Sequence, residues 1–373
     1  MINNSTCINV LKVLAAAMVF GCHAWIVCHD AYGLVFSDWK RLLVTPAWAG
    51  VWIFLILGGY LAASGFFGDR YGLNPKGIRA YYYGRLVKIL LPTWIFISLE
   101  YLLVYPDVTI NFDSILLALT CTYFGTADVY MPGIGASWYV FIVFILYLLA
   151  PWVVLLLKRL ERCWQGKEAR SYLFLMIGIC LAGGLYRVLG YFLHWDWYSR
   201  TYANVLGCAD LFFAGICAYR IKAFLPEWKE RVVIMVRRAT IACLTLLVIV
   251  CLDFGSMVPY GEILYQYVWP SAFMVLICLL LVAYDFTTGR DQKRAEGSKP
   301  QGRFFNIVAP YTFMFYLWHS SLLGYVASKV QVEGEFAHYI LTFVLGLVLT
   351  SYVAFLMTIM SNGITKSLLK QGK

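Results

Sequence analysis

The chain has 373 residues, of which 61% are hydrophobic, 17% aromatic and only 13% charged. Soluble globular proteins carry about 25% charged residues and roughly 45–50% apolar ones, so an ordinary soluble enzyme, a disordered chain and a small disulfide-stapled domain are all excluded. The net charge of +10 does not read as a nucleic-acid surface, because Lys and Arg fall in short clusters between long apolar runs, as the positive-inside rule expects.

In lipid only helices and closed barrels satisfy the backbone. A barrel would show alternating strands of about ten residues, whereas these apolar runs are continuous, so the expected fold is all-α. Ten candidate spans lie at about 8–28, 47–67, 86–105, 137–157, 171–193, 201–220, 239–256, 264–284, 304–327 and 338–361, each long enough to cross a bilayer core. The basic clusters alternate between the loops. They include Arg70, Lys76, Arg79, Arg85 and Lys88 after span two, Lys158 to Arg170 after span four, and Arg220 to Arg238 after span six. Arg290 to Arg303 follow span eight, and Lys366, Lys370 and Lys373 lie in the tail. Opposite loops keep only Lys40, Arg41, Arg200 and Lys329. The expectation is a polytopic bundle of about ten transmembrane helices, a single domain over 1–373, with both termini cytoplasmic.

Ionisable groups inside spans are costly and mark candidate sites. The first span holds Lys12 and His23, eleven residues apart, which places them within about 20° of one helix face and roughly 16 Å apart along the axis. Span three carries Glu100 fifteen residues after Arg85, and span nine carries His319 fifteen residues after Phe304. At 1.5 Å per residue both lie about 22 Å in, so His23, Glu100 and His319 are expected in one layer as a general-base centre. The bland alternatives are a His that only bridges helices and a Lys that snorkels. Asp210, in ADLFFAG, is a further candidate.

Between spans three and four, SILLALTCTYF (114–124) is too short to cross and reads as a re-entrant or interfacial helix, followed by the irregular MPGIGAS (131–137). HWDWYSR (194–200) reads as part of the interfacial aromatic belt rather than a sugar platform. The stretch 285–303 is polar and reads as a flexible cytoplasmic linker. The eleven Cys make no CxxC pair and no metal-ligand spacing, so they read as small apolar filler, with no metal expected.

Five stretches together resemble the membrane acyltransferase family 3. Lys12-x10-His23 resembles its Arg-x10-His signature, and GVWIFLILGGYL (50–61) its Gly-Val-x-x-Phe-Phe stretch. RAYYYGRLVKILLPTW (79–94) is similar to its Arg-x-x-Arg-Ile-x-Pro segment, SWYVFIVFILYLLAP (137–151) to its Trp-containing helix, and APYTFMFYLWHSSLL (309–323) to its Tyr-Leu-x-His helix. The chain departs from the pattern at Lys12 and Lys88, which stand for Arg, and at Gly58, which stands for Ser. Lys keeps the charge but loses the planar fork that grips a phosphate.

The resemblance implies transfer of an acyl group, most commonly acetyl, from cytoplasmic acyl-CoA to a hydroxyl of a cell-surface polysaccharide or lipid-linked glycan. Acyl-CoA would be a co-substrate, with no resident cofactor. It implies His23, Glu100 and His319 as catalytic residues, with Lys12, Arg79, Arg85 and Lys88 holding the donor and Trp138 and Tyr139 meeting the acceptor. A bacterial inner membrane is the expected location. The competing class is a glycan transporter or flippase, with the buried His and Lys as a proton relay. The absence of a visible inverted repeat speaks against it.

Overall fold

The computed structural model describes residues 4–33, 44–103, 112, 134–226, 228–257, 264–285 and 303–371. The expected short helix at 114–124, Lys40, Arg41 and the linker residues 286–302 lie outside these. Among the described residues the fold is all-helical. The helices are α1 (Asn4–Tyr32), α2 (Ala47–Phe67), α3 (Pro75–Arg85), α4 (Leu91–Leu103), α5 (Ile134–Cys163) and α6 (Glu168–Phe192). They continue with α7 (Val205–Phe224), α8 (Glu230–Met257), α9 (Trp269–Asp285), α10 (Arg303–Val308), α11 (Thr312–Lys329) and α12 (Glu335–Gln371).

Nine described segments are long and apolar enough to cross a membrane, and they coincide with nine of the ten expected spans. The remaining one, 304–327, is interrupted. Pro310 lacks an amide hydrogen and cannot continue the α10 ladder, and a 3-10 turn at Ala309–Tyr311 separates α10 from the 18-residue α11.

The helices gather into two compact units. The first comprises residues 1–15, 48–82 and 145–309; the second comprises 16–47, 83–144 and 310–373. Helix α1 contributes its beginning to the first and the rest to the second.

In the first unit, α7 packs against α6 and α9, and α8 packs against α9. Helix α2 meets α7 backbone to backbone. A Cβ on Gly59 would stand 1.8 Å from the Phe212 carbonyl oxygen, and one on Gly215 would stand 2.1 Å from that of Ile56. Without a hydrophobic drive between helices in lipid, such close approach is what lets dispersion hold them together. Gly58 faces the same seam, where its missing Cβ leaves room for Phe212 and Tyr147.

One end of this unit is clamped by cations that the loop reading treated as topology signals. Lys158 Nζ donates to the Phe66 carbonyl oxygen at the C-terminus of α2, 3.3 Å away, where the helix dipole favours a positive charge. Arg220 lies over the rings of Phe67 and Phe224 and donates to Glu161 Oε1, which also accepts from Tyr172.

Deeper in this unit, Arg187 of α6 forks onto Asp210 of α7, donating from Nη2 to Oδ2 at 2.6 Å and from Nη1 to Oδ1 at 3.2 Å. The guanidinium also donates to Gly207 O and to Ser271 Oγ of α9. Only 2% of Arg187 and 5% of Asp210 are exposed. Gly183 permits the approach, since a Cβ there would lie 2.0 Å from Asp210 Oδ2. Asp210, a candidate site residue by sequence, is thus engaged in a three-helix staple.

In the second unit α11 packs along α12 and touches α4. Its apolar core is Phe20, Ala24 and Cys28 of α1 with Leu323 and Tyr339, flanked by Phe315 and Phe343. Between α3 and α4 the chain makes a wide π-type turn at Leu86–Leu90. Pro92 explains it. Its ring would collide with the carbonyl of Lys88 four residues back, and one extra residue in the turn relieves that clash.

Two stability tests follow. Asp210→Asn strands a buried guanidinium and is expected to cost about 3–5 kcal/mol, whereas the double change Arg187→Met/Asp210→Leu recovers most of it. Thermal unfolding of the purified variants in one detergent reads both. Gly59→Val drives a side chain into the Phe212 carbonyl and should cost at least about 1–3 kcal/mol, seen as lost monodisperse protein.

Candidate functional site

The second unit brings His23 and His319 into ring contact, with centroids 4.7 Å apart and planes at 80°. His319 is 1% exposed and His23 is half-buried. Each imidazole is tied to a backbone carbonyl of its own helix through Nδ1. His23 reaches Val19 O at 2.9 Å, and His319 reaches Tyr316 O at 2.5 Å. A carbonyl oxygen only accepts, so Nδ1 carries the hydrogen in both rings, and in the neutral form the lone pair is then on Nε2. Nε2 of His319 is buried with no hydrogen-bond partner among the described residues. A buried nitrogen left open in this way is costly to a structure and suits a reacting group that arrives later.

Glu100 of α4 comes to α11 as well, at a different place. Its Oε1 accepts the hydroxyl hydrogen of Ser321. Its Oε2 is buried and unpartnered among the described residues. The orientation of both imidazoles comes instead from the carbonyls of Val19 and Tyr316, a constraint that side-chain spacing does not reveal.

The candidate acceptor contacts connect to this pair through a run of rings. Trp138 lies edge-on to Tyr139 at 6.4 Å, Tyr139 meets Tyr316 at 5.3 Å, and Tyr316 meets His319 at 5.6 Å. Trp138 is half-buried and Tyr139 buried. Tyr316 was not singled out from the sequence, although it stands inside the quoted YLWHSS segment. Ser321, two residues past His319, was missed for the same reason.

The cationic residues differ in exposure. Lys12 is half-buried on α1, and Arg79 is exposed on α3. Both belong to stretches of the first unit, whereas Arg85 and Lys88 belong to the second. A regular helix would put Arg85 and Lys88 on one face. The π-type turn starts directly after Arg85 and changes the phase, leaving Arg85 half-buried and Lys88 exposed. Among the described residues no three His, Cys, Asp or Glu side chains gather as a metal centre.

The arrangement therefore offers two neutral bases in mutual contact, an open carboxylate oxygen on a neighbouring helix and a lining of aromatic rings. It can take protons from hydroxyls and carry a group on nitrogen. A family model described as an acyltransferase domain matches residues 5–359. No curated protein and no solved structure matches the chain. With the apolar helices and the motif order already described, the match over nearly the whole length leads to one conclusion: the chain belongs to the acyltransferase family 3, as an integral membrane protein.

Proposed function

We propose that the protein is an acyl-CoA-dependent O-acyltransferase that moves an acyl group, most commonly acetyl, from cytoplasmic acyl-CoA to a hydroxyl of a cell-surface polysaccharide or lipid-linked glycan. The observation that carries this reading is the His23–His319 pair, two imidazoles fixed in the tautomer that leaves Nε2 basic. The distribution of Lys and Arg supports both termini and the basic loops on the cytoplasmic side, and analogy with the family supports a bacterial inner membrane. A flippase needs no such tautomer-fixed pair, and the family is one of acyl transfer.

In this reading the CoA phosphates dock on Arg85 and Lys88, with Arg79 further back on α3. Lys12, eleven residues nearer the start of the helix that carries His23, contributes a positive charge to donor binding. Trp138 and Tyr139 offer ring faces to a sugar. The orphaned Oε2 of Glu100 accepts a hydroxyl hydrogen from the acceptor. Lys at positions 12 and 88 supplies point charges rather than bidentate forks.

Turnover of radiolabelled acetyl-CoA by the purified protein in lipid tests the donor. His23→Ala should reduce turnover by at least about 100-fold. Arg85→Ala removes a charge-assisted phosphate contact, so KM for acetyl-CoA should rise about tenfold with kcat nearly kept. Lys88→Arg, which restores a planar fork, should lower that KM. A wild-type protein that binds and consumes no acyl-CoA would remove this donor from consideration.

A further inference from the structure

The His23–His319 pair raises a question that a single general base would not. One imidazole suffices to deprotonate a hydroxyl, yet two lie in contact, each with its Nδ1 hydrogen committed to a carbonyl and its Nε2 lone pair left for chemistry. Their surroundings differ. His319 is enclosed and ends the run of rings that begins at Trp138 and Tyr139. His23 is half-buried and shares a helix with Lys12, which stands eleven residues nearer its start.

We infer that the two histidines divide the reaction, with His23 carrying the acyl group on Nε2 and His319 activating the acceptor hydroxyl. This rests on the acyl-CoA reading above. In the first half-reaction the Nε2 lone pair of His23 attacks the thioester carbonyl carbon. A carbon–nitrogen bond forms, the carbon–sulfur bond breaks, and the electron pair leaves with CoA as its thiolate. The product is an acyl-imidazolium whose Nδ1–H still donates to the Val19 carbonyl oxygen. In the second, Nε2 of His319 takes the hydroxyl proton while the acceptor oxygen attacks the acyl carbon. The carbon–nitrogen bond breaks, and its electrons restore neutral His23. The departing thiolate takes a proton from water and His319 later returns one to water, so acyl-CoA and alcohol become ester and CoA thiol with both rings reset.

Two features of the geometry suit this division. A ring separation of 4.7 Å brings the carrier and the base within reach of one acyl carbon, the proximity that makes intramolecular transfer efficient. The commitment of both Nδ1 hydrogens also keeps either ring from quenching the other's lone pair. Tyr316 contributes through its carbonyl, holding the tautomer of His319, and through its ring, which bridges to Tyr139.

The test uses the full-length protein in lipid discs, radiolabelled acetyl-CoA as donor and water as the only hydroxyl. Wild type is expected to release about one equivalent of CoA thiol in a burst and to hold hydroxylamine-labile label, which mass spectrometry places on the peptide bearing His23. His23→Gln should show neither burst nor label. His319→Gln should keep both and lose the label to water at least about 100-fold more slowly than wild type. Label on His319, loss of the burst in a folded His319→Gln protein, or turnover without any burst or label would overturn the division while leaving the acyl-CoA reading intact. Wild type that consumes no acetyl-CoA would overturn the donor reading and this inference with it. Adduct mapping is done on wild type, so the assignment of the carrier does not depend on either variant folding.

Discussion

A bilayer core supplies no hydrogen-bond partners, and this constraint governs how every polar atom in the chain is used. Arg187 and Asp210 answer it by forking onto each other, with Gly207 O and Ser271 Oγ also accepting from the guanidinium, whose Nε finds no partner among the described residues. The two histidines answer it only halfway. Their Nδ1 hydrogens are placed on carbonyls of their own helices, and the orphaned Nε2 of His319 remains. Among the described residues Arg187 Nε and several indole nitrogens are open as well; what sets Nε2 of His319 apart is the contact of its ring with a second imidazole.

The same constraint separates residues that looked alike in the sequence. Lys158, Arg220 and Lys88 all belong to the basic loops by spacing. In the structure the first two are held by a helix terminus, two aromatic rings and Glu161, whereas Lys88 is exposed. A share of the basic excess is therefore architecture.

The span pattern and the common layer of His23 and His319 were legible in the sequence because they depend on helix rise and apolar run length alone. The break at Pro310 was equally written in the residue type, although the hydropathy of 304–327 conceals it. The partner of Glu100 was not legible. Equal depth along two helices says nothing about rotation, and Glu100 met Ser321 rather than an imidazole. Arg187 could have been found, since a charge inside a span was the criterion that singled out Asp210. The carbonyls that fix the two imidazoles were beyond any pattern of side chains, as they belong to the backbone.

The Arg187–Asp210 pair also bears on how the chain enters the membrane during synthesis. A lone Arg or Asp inside a membrane helix is costly, up to about 2.5–3.5 kcal/mol at its middle on translocon scales, and α6 and α7 would each carry part of that penalty if threaded separately. They are neighbours in sequence, joined by the short stretch from Leu193 to Asn204. Delivered together as a hairpin, the two charges neutralise each other before either meets hydrocarbon. Ser271 arrives only with α9, later in translation. The order of helices along the chain thus makes this staple a device for insertion as well as for packing.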